Sequence, residues 1–149
     1  MHPSNLARTL AVVDTAVAGV VTGLAQWTYD LPTRRRRYAA QAALALAGGA
    51  VLMASDAVWT AAVRDRTPPP DPDAALSDPE RALLRRQLTI SLAAVPVWVA
   101  GRGLPAAMRR RGIAQPNRLL AVPVALGWTL ASAPVEWAYA RERTAALLP

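Results

Sequence analysis

The chain has 149 residues and a net charge of +7, just over half of its residues are hydrophobic, and it contains neither Cys nor Phe. That length is one domain, with room for a single core and no separate catalytic module. Without Cys, disulfides, thiolate metal sites, thioether-linked haem and cysteine nucleophiles are excluded, and because all 17 basic residues are Arg, so is a lysine Schiff base.

An Ala- and Arg-rich chain lacking Lys has the codon signature of a GC-rich genome, as in many bacteria. The stretch 1–8 is short and precedes an apolar run with no small-residue cleavage site after it, so it reads as the start of a retained helix.

Taken in order, four runs are almost free of charge: 15–29, 38–55, 87–101 and 119–135. The first, a predicted helix at about 9–30, carries Gly19 and Gly23 in GVVTG, a small-xxx-small pattern that Thr15 extends and that lets helix backbones approach closely. A tight basic turn, DLPTRRRR, follows. The second predicted helix, about 38–62, offers Gly48 and Gly49 as a similar surface and ends near Trp59.

Residues 64–86 include TPPPDPDAALSDPE, whose prolines favour extended backbone and whose acids keep it solvated. A Pro-rich loop is expected over 68–82, ending in a short amphipathic helix at 79–86 with Ser77 or Asp78 as its N-cap. The third predicted helix, about 85–107, contains Pro96 and the segment GRGLP around Arg102. A second basic turn, MRRRGIAQPNR, leads to the fourth, about 118–140, with Pro123, Pro134 and Gly127.

These runs lack the alternation of apolar and charged residues that marks a surface helix, so each is expected to be apolar all round. A soluble bundle of this size does not bury four such helices. Each run is a little shorter than the roughly 20 residues that cross about 30 Å of hydrocarbon, and reaches that length once Asp14, Arg102 or Glu136 snorkels to an interface. Proline inside a helix costs roughly 3 kcal/mol in water but is tolerated in membrane helices. Trp27, Tyr29, Tyr38, Trp59, Trp137 and Tyr139 cluster near run ends, as in an interfacial aromatic belt. The expected fold is therefore all-α, a bundle of four transmembrane helices.

The segment ASDAVWTAAVRDRT at 54–67 aligns without a gap to ASAPVEWAYARERT at 131–144, with half of the positions identical. Each copy follows a basic cluster and an apolar run. The chain thus divides into two tandem helical hairpins, 1–67 and 83–149, a parallel internal repeat related by an axis along the membrane normal. Arg34, Arg35, Arg36 and Arg37 in one turn and Arg109, Arg110 and Arg111 in the other serve as topology determinants and lipid head-group contacts. They place the basic turns in the cytoplasm and both termini outside a plasma membrane that the chain crosses several times.

Asp14, Asp56 and Glu136 lie within or at the margin of the runs, at similar depth near the end that carries the termini. Ionisable groups there are costly and mark candidate ion or proton pathways; the alternative is pairing with Arg64, Arg66 or Arg141. Arg102, flanked by Gly101 and Gly103, is a candidate for an anionic ligand. Catalytic residues, metal ligands and cofactors are not expected: the single His, His2, sits at a frayed terminus and no nucleotide, zinc or hydrolase motif occurs. Nucleic acid is not expected either, since no aromatic platform or known module accompanies the charge. The expected role is that of a non-enzymatic accessory or scaffold subunit packing against the bilayer, copies of itself or another membrane protein, with a small ion or solute transporter as the alternative.

Overall fold

The computed structural model describes residues 2–66, 78–145 and 147, and these form an all-helical fold. Helix α1 spans Pro3–Thr28, α2 spans Arg34–Val63 and continues into a 3₁₀ turn at Arg64–Arg66, α3 spans Asp78–Arg110, and α4 spans Pro116–Ala145. No strand occurs among the described residues.

Local chemistry sets the ends. Pro3 opens α1, where its missing N–H costs nothing, and His2 caps it by accepting the Ser4 N–H on its ring at 3.4 Å. His2 thus takes the N-cap position of α1. Thr33, in extended backbone, accepts the Arg36 N–H and starts α2. At the end of α3, Gly112 adopts φ 84°, and Ile113 and Gly112 donate back to the carbonyls of Met108 and Arg109, a Schellman closure that requires left-handed backbone.

The helices hold 26, 30, 33 and 30 residues, or about 39–50 Å at roughly 1.5 Å per residue. All four run beyond the charge-free stretches that predicted them. Arg is a good helix former, so Arg34–Arg37 make the first turn of α2 instead of a loop, and Arg109 and Arg110 make the last turn of α3. Residues 79–86 are likewise not a separate short helix but the opening turns of α3. Of the loop expected over 68–82, residues 78–82 belong to α3, while 68–77 and the Ser77 cap lie outside the described residues, as does the side chain of Asp78.

Among the described residues, α1, α2 and α4 are long and apolar enough to cross a membrane. Polarity is distributed accordingly. The buried set is rich in small and polar side chains, including Asp14, Thr15, Gln26, Thr28, Ser55, Arg86, Asn117, Ser132 and Glu136, whereas Val20, Leu46, Met53, Leu92, Leu126 and Leu130 are exposed. A water-soluble core has the opposite arrangement. Helical hydroxyls are satisfied locally: Thr15, Thr22, Thr129 and Thr144 each donate to the carbonyl four residues back.

The most extensive contact is α1 against α4; α2 packs on α1, and α3 packs on α4. Thus α1 pairs with α2 and α3 with α4, and Ser55 and Ser132, which the sequence alignment of 54–67 with 131–144 matches, are both buried. Two units related by one axis would also join α2 to α3 as α1 joins α4, and no comparable contact exists among the described residues. The aromatic belt is only partly formed. Trp27, Tyr29, Tyr38 and Trp137 are exposed, but Trp59 is buried in a cluster with Ala7, Ala11, Val63 and Ala140, and Tyr139 is buried among charged groups.

Candidate functional site

Two polar layers cross the bundle, one toward each end. The first is built on Arg86 of α3, whose side chain is 5% exposed. Its Nε donates to both carboxylate oxygens of Glu136 at 3.1 and 2.9 Å, and its Nη2 donates to Glu136 at 3.0 Å and to Asp14 Oδ2 at 3.3 Å. One guanidinium therefore ties α1, α3 and α4 together. The Tyr139 ring lies 4.9 Å from the Arg86 guanidinium and 4.4 Å from that of Arg143, which also stands over Trp59 and donates to Asp56 of α2. The connected set reaches all four helices.

Helical spacing explains the convergence. Glu136, Tyr139 and Arg143 recur at three- and four-residue steps on one face of α4, and Asp14 shares the buried face of α1 with Ala7, Ala11 and Thr15. Arg85, one position from Arg86 and so about 100° around the helix, points outward and meets Glu142 at 3.0 Å with both side chains substantially exposed.

The structure thus brings Asp14, Asp56 and Glu136 into one network. Asp56 takes Arg143 as a partner, and among the described residues neither Arg64 nor Arg141 pairs with it; the side chain of Arg66 lies outside the described residues. Asp14 is not at a helix margin: with α1 beginning at Pro3, it lies about three turns in. Oδ1 of Asp14 is buried beside a cavity of about 10 Å³ that Glu136, Tyr139 and Arg143 also line, and the Ser55 hydroxyl of α2 is the neighbouring donor to the Asp14 carboxylate. Such a space accepts at most one water-sized molecule. A wider groove of about 230 Å³ runs along the outside between α3 and α4, lined by Arg85, Thr89, Pro134, Val135 and Ala138 among others.

The second layer is mainly neutral. Pro105 has no N–H, which leaves the Gly101 carbonyl, four residues earlier, without its helical donor. Gln26 of α1 supplies one: its Nε2 donates to Gly101 O at 3.0 Å and to Asn117 Oδ1 at 2.8 Å. A Cβ on residue 101 would stand 3.0 Å from Gln26 Oε1, so glycine permits this approach. Asn117 donates in turn to Asp30 at 2.6 Å, and Asp30 accepts the Arg118 N–H at 2.9 Å, capping α4 from the α1–α2 turn.

Gly19 and Gly23 make the close α1–α4 contact possible. A Cβ on residue 19 would meet Thr129 Oγ1 at 2.0 Å, and one on residue 23 would meet Ala121 O and Ala125 Cβ at 2.7 Å. Gly48 packs on Val21. Gly49 and Gly127, predicted to pack in the same way, face open space within the chain, since the spacing of small residues does not say which side of the helix is covered. Arg102 is exposed on α3, and Arg34, Arg35, Arg36, Arg109, Arg110 and Arg111 are exposed at the turns.

Sequence reasoning missed Arg86, Gln26, Asn117 and Asp30. The signal for Gln26 was Pro105, which creates an acceptor in need of a donor. Comparison with protein-family models, curated proteins and solved structures finds no match for this chain.

Proposed function

We propose that the chain is an integral membrane protein of four spans, α3 included, that works as a non-enzymatic scaffold or accessory subunit of the plasma membrane. The observation that carries this reading is the inverted polarity of the bundle, with ionic and amide layers inside and apolar side chains outside on every helix. Arg86 would be prohibitive in a fourth span by itself, but its two carboxylates offset the burial. The faces around Gly49 and Gly127 are left for contact with a second copy or another membrane protein.

Pairing of every network acid with an arginine favours a structural role over a conduit. The transport reading draws on one observation, the buried Asp14 Oδ1 beside a water-sized cavity. The two separate in vesicles containing the full chain: no ion flux above empty vesicles is expected, and flux that disappears in Asp14→Asn would overturn the scaffold role. Purification of the tagged chain from native membranes should bring down a stoichiometric membrane partner or a second copy. Because the chain lacks Cys, single-cysteine labelling reads its sidedness: Arg35→Cys should be shielded from an impermeant thiol reagent in intact cells and Ala145→Cys should react, if the basic turns face the cytoplasm.

A further inference from the structure

The end that carries the termini pairs its buried arginines; the end that carries the α1–α2 and α3–α4 turns does not. Eight arginines flank those turns, Arg34–Arg37, Arg109–Arg111 and Arg118, against one acid, Asp30. An excess of seven positive charges therefore sits on these turn segments. Asp30 does not neutralise it, because its carboxylate is 5% exposed and already filled by Asn117, the Arg118 N–H and Arg109. Arg34, Arg35, Arg36 and Arg111 meet no carboxylate among the described residues.

Two of these arginines are held in place by aromatic rings. The Arg37 guanidinium lies 5.7 Å from the Tyr29 ring and that of Arg118 lies 5.4 Å from the Trp27 ring, two positions apart at the end of α1. Arg37 Nε is buried with no hydrogen-bond partner. Immediately beyond the charges, Leu119, Val122 and Leu104 are exposed. A ligand complementary to this surface carries phosphate directly beside hydrocarbon. A phospholipid does so, whereas a nucleic acid continues its charge past the patch.

We infer that the turn end of the bundle is a docking surface for anionic phospholipid, with Arg37 and Arg118 as the fixed contacts to the head-group phosphate. The inference rests on the membrane-spanning reading above. Each arginine near an anionic leaflet contributes on the order of a fivefold preference, and the two fixed ones together about twenty-five-fold.

The test is to reconstitute the full chain in equal amounts of phosphatidylglycerol and phosphatidylcholine, extract it gently, and count the lipids that stay bound by mass spectrometry. Phosphatidylglycerol should be enriched, the enrichment should fall most of the way to parity in Arg37→Gln/Arg118→Gln, and it should persist in Arg85→Gln at the opposite end. Parity in the wild type, or undiminished enrichment in the double variant, overturns the assignment. If the double variant does not insert, the wild type decides: enrichment unchanged in about 1 M salt, where the screening length is about 3 Å, overturns it. An RNA oligonucleotide that displaces the lipid and binds more tightly overturns it in favour of nucleic acid. A chain that stays folded in buffer without lipid fails the spanning reading itself, a result distinct from insertion without lipid preference.

Discussion

The two polar layers perform the same task with different chemistry. Toward the termini, α1, α3 and α4 are joined by a buried guanidinium between two carboxylates; toward the turns, the same three helices are joined mainly by the amides of Gln26 and Asn117. A buried ion pair is held by strong attraction but leaves an uncompensated charge when one partner is lost. A neutral amide layer is weaker and fails more gently. The comparison predicts that the terminal end is the brittle end of the molecule.

The largest effect is therefore expected from Arg86→Met, which strands Glu136 and Asp14 as buried carboxylates and should destabilise the detergent-solubilised protein by about 3–5 kcal/mol in thermal unfolding. Adding Asp14→Asn and Glu136→Gln to the same chain should recover most of that loss. No recovery would mean that packing of the long side chain, and not its charge, holds the three helices.

Between the layers lies the α1–α4 seam. Gly19→Ala places a methyl where Thr129 Oγ1 stands, and Gly23→Ala places one against the Ala121 carbonyl. Each should cost about 1–3 kcal/mol by overpacking, whereas Gly127→Ala, which meets nothing in the chain, should be neutral in the isolated protein. A loss of self-association in Gly127→Ala with unchanged melting would identify that face as an interface.

At the turn end, Gln26→Leu leaves Gly101 O and Asn117 Oδ1 without their donor and should cost about 1–3 kcal/mol. Part of this should be recoverable from α3 itself. In a Pro105→Ala background the helix regains an N–H for Gly101 O, so the same Gln26 substitution should cost less. Equal costs in both backgrounds would show that the proline-freed carbonyl is not what Gln26 answers.

Much of this was legible in local pattern. Helix type followed from apolar runs, and Asp14, Asp56 and Glu136 stood out as acids within or at the margin of those runs. The identity of their partner did not, because Arg85 and Arg86 are neighbours with the same side chain, and the residues that distinguish them, Glu136 and Asp14, are 50 and 72 positions away. Gln26 and Asn117 carry no charge and so do not stand out among polar residues. Most helices extend past their charge-free runs because charge does not bound a helix: an arginine continues one readily once it reaches head groups or water.

Those neighbouring arginines also provide the smallest and most discriminating effect. Arg85 and Arg86 sit on the same helix and each meets a glutamate of α4 at about 3 Å, so helix propensity and partner chemistry are alike. Burial and the number of partners differ: side-chain exposure is 69% for Arg85 and 42% for Glu142, against 5% for Arg86 and 4% for Glu136, and Arg86 also holds Asp14. An exposed pair gains little because solvent screens it and ordering two long side chains costs entropy. Arg85→Ala should thus change stability by no more than about 1 kcal/mol and become undetectable at high salt, while the Arg86 substitution stays severe at any ionic strength. If Arg85→Ala were as damaging as Arg86→Met, this end of α3 would be immersed in a medium of low dielectric, and the outer pair would belong to the membrane interior rather than to its edge.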